Sequence, residues 1–340
     1  MGSAVGPVLV TGALGCIGAW TVRELLGDGV PVVGLDPSQD ARRLHQITPP
    51  DLADQARLVT GDITDLASIE KVIADHGVDR IIHLAALQLP LCRADPPQGA
   101  LVNVVGTVNV FEAAHRAGIS PVVYTSSAAI FDQHGGHVAV DAVPRPNSHY
   151  SVYKLTNEGT ARVYWQDFGV SSTGIRPMTV YGPGRDRGLT SSPTKAMLAA
   201  VLGCRYEVGF GGTTLLHYAR DVGRALVAAA EAPIEGAHVM NLNGVRAQIA
   251  EIVAILQRLV GPSAFGIAVN PRALPFPDDA DTTGLELIGP PAVTPLDDGV
   301  AATVEFFQDL QTRGVLVPEE HGLWIDGDHA VDDSSAKVSR

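Results

Sequence analysis

A strand that runs through a glycine-rich turn into a helix constrains this chain more than any other feature. Val8-Leu9-Val10 is followed by Thr11-Gly12-Ala13-Leu14-Gly15-Cys16-Ile17-Gly18 and then by a helical pattern that reaches Leu26. Glycine is needed in such a turn because a Cβ would obstruct both the bend and any ligand approaching the backbone. The apolar run from Val30 to Leu35 completes a strand–helix–strand unit. The rhythm continues with strands at 57–60, 80–84, 121–124 and 173–176, separated by helical patterns near 68–76, 100–117 and 150–168. Strands separated by helices run parallel, with crossovers covering both faces, so the expected fold class is α/β, a doubly wound parallel sheet.

After Pro177 the pattern loosens. Glycine and proline crowd residues 181–193, short helices are expected near 194–202 and 220–230, a late strand at 239–242, and amphipathic helices at 248–260 and 298–311. The expected organisation is a sheet domain over 6–178, a smaller C-terminal α/β substrate lobe over 179–330 with some segments returning to the first domain, and a polar, flexible tail over 331–340.

Composition narrows the partners. With 24 basic and 37 acidic residues the formal charge is −13, which repels nucleic acid and anionic membrane surfaces. No stretch approaches the ~18 apolar residues of a membrane span, and a small molecule is the expected partner. Cys16, Cys92 and Cys204 form no C-x-x-C pair, which implies a reducing, cytoplasmic setting and neither disulfides nor zinc. His134 and His137 lack the carboxylates or cysteine that would complete a metal site, so none is expected.

The loop at Gly12, Gly15 and Gly18 suits a pyrophosphate, with the backbone N–H groups of Cys16 and Ile17 and the positive end of the first helix directed at it. Asp36 ends the second strand, where a carboxylate accepts hydrogen bonds from the adenosine ribose hydroxyls and repels a 2′-phosphate. NAD is therefore the expected cofactor, while Arg42 and Arg43 nearby leave NADP open. Asp62 and Ile63 end the third strand, where Asp62 either reaches the adenine or caps the following helix. Leu84-Ala85-Ala86 brings small residues beside the cofactor. Asn103 is unusual among Val102, Val104 and Val105; its amide can hold a water or a backbone carbonyl, and it is placed with the cofactor residues.

Tyr150 and Lys154 stand at i, i+4 on one helix face. A free phenol is a poor base at neutral pH, and a nearby ammonium stabilises the phenolate, so Tyr150 can exchange a proton with a substrate hydroxyl while hydride moves to or from a nicotinamide. Tyr153 is the rival, but its i+4 residue is Asn157. A third partner is expected at the carboxyl end of a central strand, where the run from Tyr124 through Thr125, Ser126 and Ser127 emerges and a serine hydroxyl can hold the reacting C–O in line. His149 beside Tyr150 either tunes the pocket or faces solvent.

Taken in order, the glycine loop, Asp36, Asp62, His83-Leu84-Ala85-Ala86, Asn103-Val104-Val105-Gly106-Thr107, Ser126-Ser127-Ala128, Tyr150 with Lys154, and Arg176-Pro177 leading to Val180-Tyr181-Gly182-Pro183-Gly184 resemble the extended short-chain dehydrogenase/reductase superfamily, its NAD-dependent epimerase/dehydratase family. The resemblance covers about residues 8–188 and implies a Rossmann-type sheet. It implies Ser127, Tyr150 and Lys154 as catalytic residues, with Lys154 bridging nicotinamide ribose and tyrosine. Tyr150, Lys154, Thr125 and Arg176 join the cofactor-binding set. Family members often pair the helices at 100–117 and 150–168 into a four-helix bundle, and the nearly all-apolar surface from Leu101 to Phe111 agrees with a homodimer.

Departures from the family pattern bear on the reaction. Dehydratases carry Asp-Glu where this chain has Ala128 and Ala129, so elimination of water is not expected. Nucleotide-sugar epimerases usually carry Asn where Thr179 stands, which weakens that substrate class. The first expectation is accordingly an NAD-dependent oxidoreductase passing hydride between a secondary alcohol or ketone, such as a sugar acid or polyol, and the nicotinamide. The alternative is a sugar or nucleotide-sugar epimerase working through a transient ketone. Candidate substrate contacts are Gln88, Ser127, Phe131, Met178, Thr179, Arg185 and Ser192.

Overall fold

The computed structural model describes residues 6–327 and 329–332. Seven strands form the central sheet: β1 (Val8–Thr11), β2 (Val32–Asp36), β3 (Arg57–Thr60), β4 (Arg80–His83), β5 (Val122–Thr125), β7 (Ser172–Arg176) and β11 (Ala237–Asn241). Their order is β11-β7-β5-β4-β1-β2-β3 and every pairing is parallel. β1 and β5 are buried along their whole length, as strands covered on both faces must be. The α/β doubly wound expectation holds. Strand order reverses between β1 and β4, and at such a switch point the loops after the two strands diverge and leave a crevice.

The lobe is assembled from small sheets. β8 (Thr179–Tyr181), β10 (Thr213–Tyr218) and β12 (Val245–Gln248) make a three-stranded sheet. Three ribbons pair β6 (His137–Val138) with β14 (Asp279–Ala280), β9 (Tyr206–Val208) with β13 (Ile267–Val269), and β15 (Leu323–Asp326) with β16 (His329–Asp332). Of the tail expected over 331–340, Val331 and Asp332 belong to β16 and the rest lies outside the described residues. No helix among the described residues is long and apolar enough to cross a membrane.

Residues 219–241 return to the first half of the chain. The helix Ala219–Glu231 packs on the first helix, Cys16–Gly27, and a Cβ on Gly223 would sit 3.0 Å from the Trp20 carbonyl carbon. Glu24 receives Arg220 at 2.8 Å and Arg224 at 3.0 Å across this seam. The strand expected at 239–242 begins at Ala237 and forms the sheet edge next to β7.

The helix expected as one piece over 100–117 is interrupted. A short helix Pro96–Ala100 passes through a π-helical turn, Leu101–Val105, before Gly106–Ala117. Such π turns redirect side chains, and this one turns Asn103 fully inward.

Candidate active site

The glycine loop lies where strand order reverses. Gly12 (φ +69°) leaves β1, and a Cβ there would stand 2.7 Å from the Ala85 nitrogen and 2.8 Å from its Cα in the loop after β4. A side chain on Gly18 would fall on the Gly12 carbonyl. Gly15 is the N-cap of the first helix and offers no capping side chain, and no acid occupies the first turn, so the leading N–H groups and their positive partial charge remain available. Asp36 fixes the loop's far side: its carboxylate accepts from Leu14 N at 3.1 Å and from Ser38 N at 2.9 Å.

Beneath this wall runs a buried hydrogen-bond chain. His83 contacts Thr11 Oγ1 through Nδ1 (2.7 Å) and Thr107 Oγ1 through Nε2 (3.0 Å). Burial drives its pKa down to about 3, so it serves as a neutral strut. Thr107 donates to the Asn103 carbonyl at 2.8 Å. Asn103 grips Leu87 with both ends of its amide, Nδ2 to Leu87 O (2.9 Å) and Oδ1 from Leu87 N (2.7 Å). Of the readings open for this amide, the hold on a backbone carbonyl is the one observed, and it fixes the segment after β4.

The opposite wall carries Ser127, Tyr150 and Lys154. Ser148 caps the helix His149–Phe168 through a capping box with Ser151, which sets Tyr150 in the first turn and Lys154 one turn later. Ser127 stands close enough to the Tyr150 hydroxyl to favour its phenolate form. Lys154 Nζ donates to the Thr125 carbonyl at 2.7 Å and lies 5.8 Å from the Tyr150 ring centre. Burial holds the phenol above its ordinary pKa, opposed by Ser127 and the field of Arg185. Burial also lowers Lys154 to about 8. Tyr153, the rival, donates to Pro96 O at 2.9 Å and is occupied with packing.

Glu158 organises this wall and was missed. It lies on the same helix face as Lys154, one turn further on, and that i+4 spacing was the available signal. Its Oε1 accepts from Ser126 Oγ at 2.5 Å and from Arg176 Nε at 2.7 Å, and its Oε2 accepts from Arg176 Nη2 at 2.7 Å. Arg176 also donates to Val140 O at 2.9 Å and stacks over Phe131 at 5.1 Å. Arg176 is thus held by the helix carboxylate and covers Phe131.

The remaining sequence candidates have the following surroundings. Asp62 accepts from Thr64 N at 2.8 Å, and Asp65 caps the following helix. Ile63 is packed beneath Gly106. Thr179 Oγ1 meets Thr214 Oγ1 at 2.9 Å, and Ser192 Oγ meets Tyr206 OH at 2.8 Å and accepts from Gly209 N at 2.9 Å. Cys16 is the first residue of the helix, with its thiol raised to about 11 by burial. Ile17 follows it, Leu84 and Ala86 flank Ala85, and Met178 lies half-buried between β7 and β8. Among the described residues, Gln88 Oε1 and Arg185 Nε are buried and find no hydrogen-bond partner. Both abut Gly188, where a Cβ would fall on Gln88 Oε1 and lie 3.3 Å from Arg185 Nη2.

The model of the NAD dependent epimerase/dehydratase family matches residues 8–243. The chain belongs to this family. It is 33% identical over 319 residues to a UDP-glucose 4-epimerase of Mycolicibacterium smegmatis, covering 88% of this chain and 98% of that protein. It is 28% identical over 284 residues to a UDP-glucuronate 4-epimerase of Thermodesulfobacterium geofontis, covering 76% and 82%. Among solved structures, MoeE5 in complex with UDP-glucuronic acid and NAD superposes with a TM-score of 0.74 at 29% identity, over 92% of this chain and all of that one.

The family is NAD-dependent and the expected cofactor stands. The residues present fit that group. The cradle at Gly12 and Gly18 is one that a Cβ would fill, the helix start above it is uncapped, and a carboxylate closes its outer end. Of the two reactions read from the sequence, the similarities favour the alternative, epimerisation, over net oxidation or reduction. Ala128 and Ala129 are buried in a 3₁₀ turn beside Ser127, so no acid–base pair for elimination stands at those positions.

Proposed function

We propose that this protein is an NAD-dependent 4-epimerase of a nucleotide-linked sugar, and that the sugar carries a carboxylate. The observation that carries the reading is the intact Ser127–Tyr150–Lys154 set in a chain whose relatives, matched over most of its length, are sugar-nucleotide epimerases. Gly12, Gly15, Gly18 and Asp36 would hold NAD, which when bound would supply a reversible hydride acceptor. Tyr150 takes the proton from the sugar hydroxyl and later gives one back to the carbonyl oxygen, so proton and hydride are both restored and no net oxidation occurs. Ser127, beside the phenol, holds the reacting C–O in line. Lys154 supplies a fixed positive charge on the same helix face. Arg185 acts twice: its field favours the phenolate, and its free Nε–H suits a carboxylate oxygen while Gln88 Oε1 accepts a sugar hydroxyl.

The enzyme works in the cytoplasm as a homodimer. Leu101, Val105 and Val108 are exposed on one side of the 101–117 segment, and Val152 and Val163 on the 149–168 helix. These are the surfaces that a four-helix interface would cover. Light scattering should give twice the chain mass, and a monomer at micromolar concentration would remove the assembly.

The test of the reaction is incubation with UDP-glucose, UDP-glucuronate and free uronates, with separation of the epimers and parallel measurement of NADH in solution. A mixture of 4-epimers without accumulating NADH is expected from UDP-glucuronate, and Tyr150→Phe should lower turnover by about 10²–10⁴-fold. NADH appearing in proportion to substrate consumed would replace the epimerase by a dehydrogenase.

A further inference from the structure

Arg43 was noticed in the sequence only as a charge near Asp36, yet it ties together two parts of the chain that face each other across the mouth of the crevice. Its Nη1 donates to the Leu14 carbonyl inside the glycine loop, its Nε donates to the Gly184 carbonyl at 3.0 Å, and its Nη2 pairs with the Asp186 carboxylate. The side chains of Arg43 and Asp186 are 21% and 10% exposed, so water screens the pair little. The planar fork of a guanidinium serves three acceptors at once, which a lysine cannot do.

The segment that Arg43 grips is itself held from behind. Pro183 O accepts from Trp20 Nε1 at 2.9 Å, and a Cβ on Gly322 would fall on the Asp186 carbonyl. Beside Arg43, Arg42 pairs with Glu320 of the turn Pro318–His321. Gly184 (φ +83°) leaves space for Arg43, since a Cβ there would lie 2.9 Å from the Arg43 Cδ. The glycine loop is thus fastened to the lobe by one side chain, at the place where it cradles the dinucleotide.

We infer that Arg43 and Asp186 form a clasp that sets the residence time of the dinucleotide, a positioning pair that keeps the cofactor in place between the two hydride transfers. The purpose rests on the epimerase reading, because a dehydrogenase must release its cofactor at every turnover and an epimerase must not. The clasp itself is testable without any sugar.

The holoenzyme is loaded with NADH, chased with excess NAD, and the loss of bound NADH fluorescence gives the dissociation rate. Arg43→Gln and the near-isosteric Asp186→Asn should each speed release at least tenfold, and the double variant should release no faster than the faster single, since both abolish the Arg43–Asp186 ion pair. Arg43→Lys should resemble Arg43→Gln, while Arg42→Gln should stay within twofold of the parent. Asp186→Asn releasing at the parental rate while Arg43→Gln releases fast would mean that Arg43 holds the dinucleotide directly, which overturns the clasp. Additive effects of the two substitutions would overturn it as well. Fast release in Asp186→Asn with no epimerisation by the parent would keep the clasp and remove the reaction reading, and the converse pair of results would do the reverse.

Discussion

The two walls of the crevice reach the same rigidity by opposite means. The cofactor wall is shaped by what is missing: Gly12 and Gly18 let β1, the loop after β4 and the first helix approach to distances that a Cβ would forbid. The catalytic wall is shaped by what is added, a buried carboxylate, Glu158, that joins Ser126, Arg176 and the helix of Tyr150 and Lys154. The first device is local in sequence, spanning residues 11–18 with one partner near 85. The second joins residues 126, 158 and 176 across three elements. A backbone cradle is insensitive to pH, whereas a wall built on paired charges responds to it.

Breaking the catalytic wall should have the largest effect. Arg176 and Glu158 are 6% and 10% exposed, so Glu158→Gln leaves a buried guanidinium without its counter-charge, a change that costs about 3–5 kcal/mol and is read by chemical denaturation. The same substitution has a signature that simple destabilisation lacks. The Glu158 charge raises the Lys154 pKa against the burial that lowers it to about 8. Removing it lowers that pKa further, so the ammonium is lost at a lower pH. The alkaline limb of the activity profile should move to lower pH in Glu158→Gln, and an unmoved limb with the stability loss intact would reduce Glu158 to a structural tie.

The same contrast explains what could be read from the sequence. Alternating strands and helices, the glycine loop, Asp36 and the Tyr150–Lys154 spacing are all local patterns, and each reappears where expected. Asn103, Arg176, Phe131, Thr179 and Ser192 were assigned to ligands because a polar or aromatic residue beside a motif attracts a ligand reading. The hydrogen-bond partners of Asn103, Arg176, Thr179 and Ser192 are Leu87, Glu158, Thr214 and Tyr206, 14 to 35 residues away, and no local pattern announces such pairs. The π turn at 101–105 was illegible for a related reason, since an apolar run fits a continuous helix equally well until a buried amide demands a partner. Arg43 is the extreme case: its carboxylate is 143 residues distant, so only the folded chain shows what the charge does.

The cofactor wall should yield to a single methyl group, and the first helix contains its own control. Gly18 and Gly27 both belong to Cys16–Gly27. Replacing glycine by alanine in a helix is worth about 0.5–1 kcal/mol through the smaller entropy lost on folding. At Gly27 nothing lies within 4 Å of the added Cβ, so Gly27→Ala should realise much of that gain and leave NAD binding unchanged. At Gly18 the methyl meets the Gly12 carbonyl and stands 2.9 Å from the Ala13 Cα, backbone atoms that cannot rotate away. The overpacking penalty of about 1–3 kcal/mol then exceeds the helical gain, and the loop must shift away from the helix start. Calorimetric titration with NAD should show an affinity loss of at least tenfold for Gly18→Ala, together with a lowered melting temperature. Equal affinities in the two variants would mean that close approach at Gly18 is not what shapes this wall, and the contrast between the walls would fall with it.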